Sequence, residues 1–549
     1  MSKLSKYGEK ETAQNLEMAK TAVTNFMGGN SYTLNPLDTL RIVAASSIFG
    51  EPQYYRDGLE STKTSAVFMS KTEHAIFKDT FGDETAVDVF TKSIDDALAF
   101  DFGKTLKLAK ELRQEFNMRL NPAVIYVRAT LHTGRVAFNE AHPGLMKSVG
   151  KDIAGRPDDL TNQFDYYMFV KGSKKGLPSL LKRTWAERLE TYSRYQLNKY
   201  KGKSLIDLVR LSHANSTDID ELMQTGTLKV ADTEMTWESL KSAGKSWSVI
   251  IDQIHVPHMA LLRNLRGIFT EITERGGKTE GRTLAIKILD DLKAGVPSGK
   301  QFPFRYWSAY KAIKSTEIDN KQLVLDALEE CMDIAVANMP KLHGKVACLS
   351  DNSGSSWGAM NSEYGSVTIA EIANLSAIIT AKQSDEGYVG VFGDELSVEP
   401  VSKRNGLLTQ LEETSNRGKA QGGSTENGIW LFWDDAIKNK VRWDTVFVYS
   451  DMQAGHGGLY GNNSSDYRDY VYGDSRNSRG YIDVLALVKE YRKTVNPKVN
   501  IFTVQVAGYN NTVLPENLYR GAVLAGWTGR EPIFAKAIID TWDIIETRK

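Results

Sequence analysis

Cysteine is nearly absent. The 549-residue chain has two, Cys331 and Cys348, each in an apolar setting. Two are too few for a disulfide framework, so buried free thiols and a reducing compartment are expected. Long hydrophobic runs are missing too: none approaches the ~20 residues that span a bilayer. The opening Met1-Ser2-Lys3-Leu4-Ser5-Lys6 lacks the apolar core of a signal peptide. No membrane partner is therefore expected, and the expected location is the cytoplasm. Charge of one sign is also lacking. Lys and Arg number 68, Asp and Glu 68, and the net charge is zero. Nucleic-acid binders are often globally basic, so the overall balance counts against that class. There is no P-loop and no His-Glu-x-x-His, and the eight histidines are scattered. A two-metal nuclease needs several carboxylates converging on one site. A non-enzyme is the expectation.

What is present begins with Asp351-Asn352-Ser353-Gly354-Ser355, directly after the apolar run Lys345-Val346-Ala347-Cys348-Leu349-Ser350. The run reads as a buried strand ending in a loop. Asp-x-Ser-x-Ser there puts three oxygen side chains on one turn, the ligand type that hard divalent cations take; Mg2+ keeps waters around only a few protein groups. Thr425 lies in a Gly-rich turn downstream, and Asp451 ends a second apolar strand, Thr445-Val446-Phe447-Val448-Tyr449-Ser450. Asp351, Ser353, Ser355, Thr425 and Asp451 thus form a candidate metal set on three loops. Turn chemistry and helix capping are the plainer reading of each residue taken singly; Thr425 could cap the helix that follows. His456, in the long loop 452–480, reads as a glycine-flanked loop residue and is left out of the set.

Periodicity divides the chain. After residue 341, strands near 345–350, 388–392, 445–450 and 499–506 alternate with helices near 367–383, 428–439, 483–493 and 531–546. That alternation predicts a doubly wound parallel α/β sheet, with ligands outside the carboxyl ends of the strands. The first 340 residues read as mainly α: Leu108, Leu112 and Phe116 recur at helical spacing, as do Leu261, Leu265, Ile268 and Ile272, and Leu325, Leu328, Met332 and Ala335. Such a run suits a degenerate helical-repeat array. The expected domains are 1–340 and 341–549, meeting near Asn338-Met339-Pro340-Lys341. Within the first, residues 171–213 hold eleven Lys or Arg against Glu187, Glu190 and Asp207. This is the chain's electrostatic footprint. Arg194, Tyr195, Tyr200 and Trp185 interleave aromatic faces with charge, and bases can stack on such faces. A solvated helix face is the plainer reading.

Several blocks resemble a known family. The loop set looks like the metal-ion-dependent adhesion site of von Willebrand factor A domains. Leu37-Asp38-Thr39-Leu40-Arg41, with Phe49-Gly50-Glu51-Pro52-Gln53-Tyr54-Tyr55, resembles the opening segment of the Ro ribonucleoprotein (TROVE) family. Leu211-Ser212-His213 after a basic helix, Pro257-His258-Met259-Ala260-Leu261-Leu262-Arg263-Asn264-Leu265 and Phe302-Pro303-Phe304-Arg305 resemble later segments in the same order. Val448 to Gly458 is similar to bacterial or phage-borne members.

The resemblance implies a HEAT-like helical ring followed by a von Willebrand factor A domain carrying a divalent cation, Mg2+ first. It implies a monomeric ring that binds small noncoding Y-like RNA on an outer basic flank and single-stranded ends of misfolded RNA in its hole. RNA quality control or decay follows, with the exoribonuclease polynucleotide phosphorylase as a partner. Carried over by residue, Lys199 and His213 match RNA-binding positions. A second basic position maps to Lys201 or Lys203, and Arg210 and Arg194 complete the candidate set. The rival reading is a metal-dependent protein-binding adaptor without essential RNA, which the neutral overall charge favours.

Overall fold

The computed structural model describes residues 22–24, 30–45, 86–115, 118–229, 236–275, 278–299, 301–337, 339–357, 367–422, 428–450, 452, 471–472, 481–506, 511–515, 518–526 and 529–547. Phe49 to Tyr55, Phe116, Asn338, Thr425, Asp451 and His456 lie outside them.

Two short strands come first, β1 (Ala22–Thr24) and β2 (Asn30–Thr33), then helix α1 (Pro36–Ala45). The helical series runs on through α2 (Ala86–Phe100), α3 (Phe102–Gln114), α4 (Leu120–Leu131), α5 (Arg135–Ala141), α6 (Leu145–Asp152), α7 (Pro157–Lys171), α8 (Ser179–Leu189), α9 (Arg194–Lys199), α10 (Lys203–Ser212) and α11 (Thr217–Thr225). It ends with α12 (Trp237–Ser242), α13 (Trp247–Gln253), α14 (His258–Arg275), α15 (Lys278–Ala294), α16 (Val296–Gly299), α17 (Pro303–Lys314) and α18 (Lys321–Val336). The punctuation is local. Pro157 opens α7 with Asp158 and Asp159 in its first turn, and Gly172 stops it at φ 61°. Ser193 and Gln196 form a reciprocal capping box on α9. Ser216 caps α11, and Gly226 ends it in the left-handed region.

The family-like blocks of this region prove to be packing elements. Leu261, Leu262 and Leu265 of α14 and Phe304 of α17 are buried. His258 is buried as well: one ring nitrogen lies 2.8 Å from the Leu292 carbonyl, the other 2.9 Å from the Tyr306 hydroxyl. Gly295 and Gly299 crowd the His258 side chain so closely that a Cβ at either would stand 2.7 Å from its Cβ or 2.3 Å from its ring.

The rest of the chain is α/β: β3 (Leu342–Asp351), α19 (Gly354–Trp357), α20 (Ile369–Lys382), β4 (Ser384–Phe392), β5 (Leu396–Pro400), α21 (Leu407–Lys419), α22 (Gly428–Lys438) and β6 (Thr445–Ser450). Then come β7 (Val471–Tyr472), β8 (Tyr481–Ile482), α23 (Val484–Thr494), β9 (Asn500–Gln505), β10 (Asn511–Thr512), β11 (Gly521–Ala525) and α24 (Glu531–Thr547). The main sheet has the order β11-β9-β6-β3-β4-β5. All its pairs are parallel except β4 with β5, so the sheet is mixed rather than wholly parallel. β6 and β9 are buried along their whole length, as helices on both faces require. Burial pushes the free Cys331 thiol up to about 12 and that of Cys348 well above its ordinary range, so neither is a ready nucleophile.

The helical array rests on the sheet domain at both ends. At its far end, α20 is buried on every side from Ile369 to Ala381, sandwiched between the sheet and the last helices of the array. Lys311 of α17 binds Glu371 at the start of α20 with contacts of 2.9 and 3.0 Å. Glu329 of α18 accepts the amides of Leu408 and Thr409 at 2.9 and 2.7 Å, capping α21 from outside. At the near end, α1 packs on β11 and Arg530 pairs with Glu115. The strand β2 pairs with β10, so residues 30–33 join the far end of the chain. Array and sheet domain therefore close one circuit.

Candidate functional site

The candidate metal loop is built where the sheet reverses its order. β3 lies between β4 and β6, and this switch point opens a crevice at the carboxyl ends of the strands. Asp351 is the last residue of β3 and is fully buried. One carboxylate oxygen accepts the Ser353 amide at 2.9 Å, and the other accepts the Ser450 hydroxyl at 2.7 Å from the end of β6. Burial pushes the carboxyl pKa up, opposed by hydrogen bonds from the Ser353 and Ser450 hydroxyls. Below the loop, Asn352 and Asn374 exchange amide hydrogen bonds of 2.9 and 3.0 Å, and Ser350 donates to Asn374 at 2.6 Å. Gly418 of α21 backs this network; a Cβ there would stand 2.0 Å from the Asn352 side-chain Oδ1. Loop, sheet and α21 are thereby locked together.

Of the five candidate ligands, Asp351 and Ser353 are brought together. Ser355 falls in α19 without a described side chain, and Thr425 and Asp451 lie outside the described residues. Ser450, Asn374 and Gly418 were not singled out by pattern; only Ser450 carried a signal, as the residue before Asp451. The donor set fits a hard cation: a buried carboxylate amid the neutral hydroxyls of Ser353, Ser356 and Ser450. Gly354-Ser355-Ser356-Trp357-Gly358 does have the spacing of a nucleophile elbow, but Ser356 is buried and no described histidine bonds its hydroxyl. Among the described residues, no group of three or more His, Cys, Asp or Glu could hold a metal, and no helix is long and apolar enough to cross a membrane.

The basic window folds into α8, α9 and α10. Leu205, Leu208 and Val209 anchor α10 in the core. Lys203 and Arg210, seven residues apart, share its outer face. Asp207, also on that side, is drawn off by Lys174 at 2.8 Å. His213 ends the helix with φ 56°, a left-handed conformation that histidine adopts more readily than most residues. Lys201, Lys203, Arg210 and His213 are exposed, and no described acid pairs with any of them. Two other candidates are engaged. Arg194 bonds Asp218 at 2.6 Å, Glu221 at 2.7 Å and the Lys229 carbonyl at 3.1 Å. Lys199 meets Glu238 at 3.1 Å and lies over the Tyr195 ring. Trp185 is not an available stacking face: it is fully buried, its indole N–H bonded to Gln163 at 2.9 Å. Tyr200 is half-buried and hydrogen-bonded by Arg156.

These features define a class: a helical array closed by an α/β domain whose strand ends carry an oxygen-rich loop. No family model matches the sequence, and no curated protein matches it. A solved structure does match: the crystal structure of the Ro (RSR) protein of Deinococcus radiodurans is similar at 15% identity, with a TM-score of 0.51, covering 81% of this chain and 93% of that one. The chain thus has the Ro fold, a helical ring with a von Willebrand factor A-like domain.

Proposed function

We propose that the protein is a non-catalytic RNA-binding scaffold. The observation that carries the reading is the set Lys201, Lys203, Arg210 and His213, exposed along the outer face of α10 from its start to its finish and unopposed by any described acid, on a Ro-like fold. Exposed cations of this kind neutralise phosphates, giving salt-dependent affinity with little sequence reading. Residues 1–340 form the RNA-binding module and 341–549 the metal-bearing domain. The bound species is a small noncoding Y-like RNA on the outer basic face, with single-stranded ends of misfolded RNA held in the ring. Lys199 joins the contact by releasing Glu238, whereas Arg194 positions α9 through its acids. The setting is RNA quality control or decay in the cytoplasm, with polynucleotide phosphorylase as the partner nuclease. Asp351, Ser353, Ser355, Thr425 and Asp451 hold Mg2+, which supplies an open coordination position for an acidic group when bound.

The test is to isolate the tagged protein from its native cells and sequence the RNA that accompanies it. One abundant structured small RNA is expected, lost on combined Lys201→Glu and Lys203→Glu substitution. Diffuse RNA, or none, would refute the reading.

One observation favours the metal-dependent adaptor as a second reading. A cleft of about 550 Å³ opens beside the candidate metal loop, with Asn352, Trp357, Lys419 and the Lys311–Glu371 pair in its walls. Lys419 over the Trp357 ring, next to a bound cation, suits an acidic group of a partner. Under that reading, Asp351→Ala abolishes capture of the partner.

A further inference from the structure

Helix α5 is seven residues long and buries none of them. So short a helix has little stability of its own. Arg135 ties its start to the Thr130 carbonyl at 2.8 Å. The other tie is aromatic. Phe138 stacks on Phe102 with centroids 4.6 Å apart and planes inclined by 30°. His142 lies 4.7 Å from Phe138, and His132 lies 5.9 Å from Phe102. The rings form one series, His132–Phe102–Phe138–His142. Gly103 and Gly134 let it close: a Cβ at either would stand 3.4 Å from Phe138 or 3.2 Å from His132. Yet the series stays open to solvent. His132, Phe102 and Phe138 are half-exposed and His142 is exposed, while Phe100 and Val136 nearby in sequence are 57% and 53% exposed. Phe102 and Phe138 rest on the core with one side and leave the other to solvent, as a contact site would.

The chemistry selects the occupant. Half of the rings are imidazoles, and the same stretch carries Lys107 and Arg135, neither paired with a described acid. Asp101 is already paired with Lys104 at 3.0 Å, leaving Glu140 as the acid of α5. Aromatic rings and cations on one stretch suit bases and phosphates better than an apolar helix. Packing links the series to the basic window: α3, which carries Phe102, packs on α6, and α6 on α8. His142 leads into α6, whose Lys147 and Lys151 hold Glu187 of α8 at 2.6 and 3.0 Å, and α8 packs on α10. We propose that His132, Phe102, Phe138 and His142 form a stacking platform for unpaired bases of single-stranded RNA. The proposal rests on the RNA-binding reading above.

Its test uses the full chain and two labelled probes, a short oligoadenylate and a blunt hairpin RNA, followed by fluorescence anisotropy. Phe138→Leu keeps the apolar contact with Phe102 but removes the π face. It should bind oligoadenylate about tenfold more weakly, with an unaltered salt slope because no charge is lost, and bind the hairpin as wild type does. His142→Ala, at an exposed position that leaves folding intact, should give a smaller loss of roughly threefold. Wild-type oligoadenylate affinity in both variants would overturn the platform while leaving the RNA reading standing. A wild-type protein that binds neither probe would overturn both.

Discussion

Replacing Lys201 and Lys203 together by alanine removes two exposed cations that no described acid neutralises. On RNA, each phosphate contact contributes about 0.9 to the slope of log K against log salt for a duplex and about 0.7 for a single strand. Losing two such contacts should therefore flatten the slope by roughly 1.4 to 1.8. Arg194→Ala is the internal control. Its guanidinium is occupied by Asp218 and Glu221 at 2.6 and 2.7 Å, so its loss should leave the slope unchanged and lower thermal stability instead. Lys199 must give up its 3.1 Å contact with Glu238 before it can reach a phosphate, so Lys199→Ala should flatten the slope by less than one full contact. The assay is an anisotropy titration of a small structured RNA across a potassium chloride series. A wild-type slope in the Lys201/Lys203 variant, with a flattened one in Arg194→Ala, would refute the assignment of free and engaged cations.

Three further outcomes are expected. Glu329→Ala removes a carboxylate that caps α21 through the Leu408 and Thr409 amides, and should cost about 2–3 kcal/mol in a denaturant melt; no loss would mean that the contact is incidental. Burial holds the His258 imidazole pKa below its ordinary value of 6.5, so as pH falls below that value the unfolded chain takes up a proton that the folded chain refuses. Stability should therefore decline on acidification below about pH 6.5, and His258→Gln should flatten the decline; identical pH profiles would contradict this. Mg2+ at about a hundredfold over its Kd should stabilise the chain by about 2.7 kcal/mol, and Asp351→Asn should abolish the shift in melting temperature without changing RNA affinity. An undiminished shift in that variant would place the cation elsewhere.

Local pattern fixed much of the architecture. Strands expected near 345–350, 388–392, 445–450 and 499–506 are β3, β4, β6 and β9, and the helices expected between and after them are α20, α22, α23 and α24. Doubly covered strands are continuously apolar and surface helices are periodic, so both announce themselves in sequence. Edge elements do not. β5 is half-exposed and antiparallel, and β2 and β10 run only four and two residues. β2 and β10 pair with each other across almost the whole chain, which no local window reports. The same division holds at the sites. Asp-x-Ser-x-Ser after an apolar run marked Asp351, but Ser450, 99 residues away, reaches its carboxylate only because β6 lies beside β3. The charge excess of 171–213 was visible as composition. Which cations are free was settled by folding, because Asp218, Glu221 and Glu238 enter from outside the window to occupy Arg194 and Lys199. Composition records the charges along the chain; only the tertiary fold decides which of them meet.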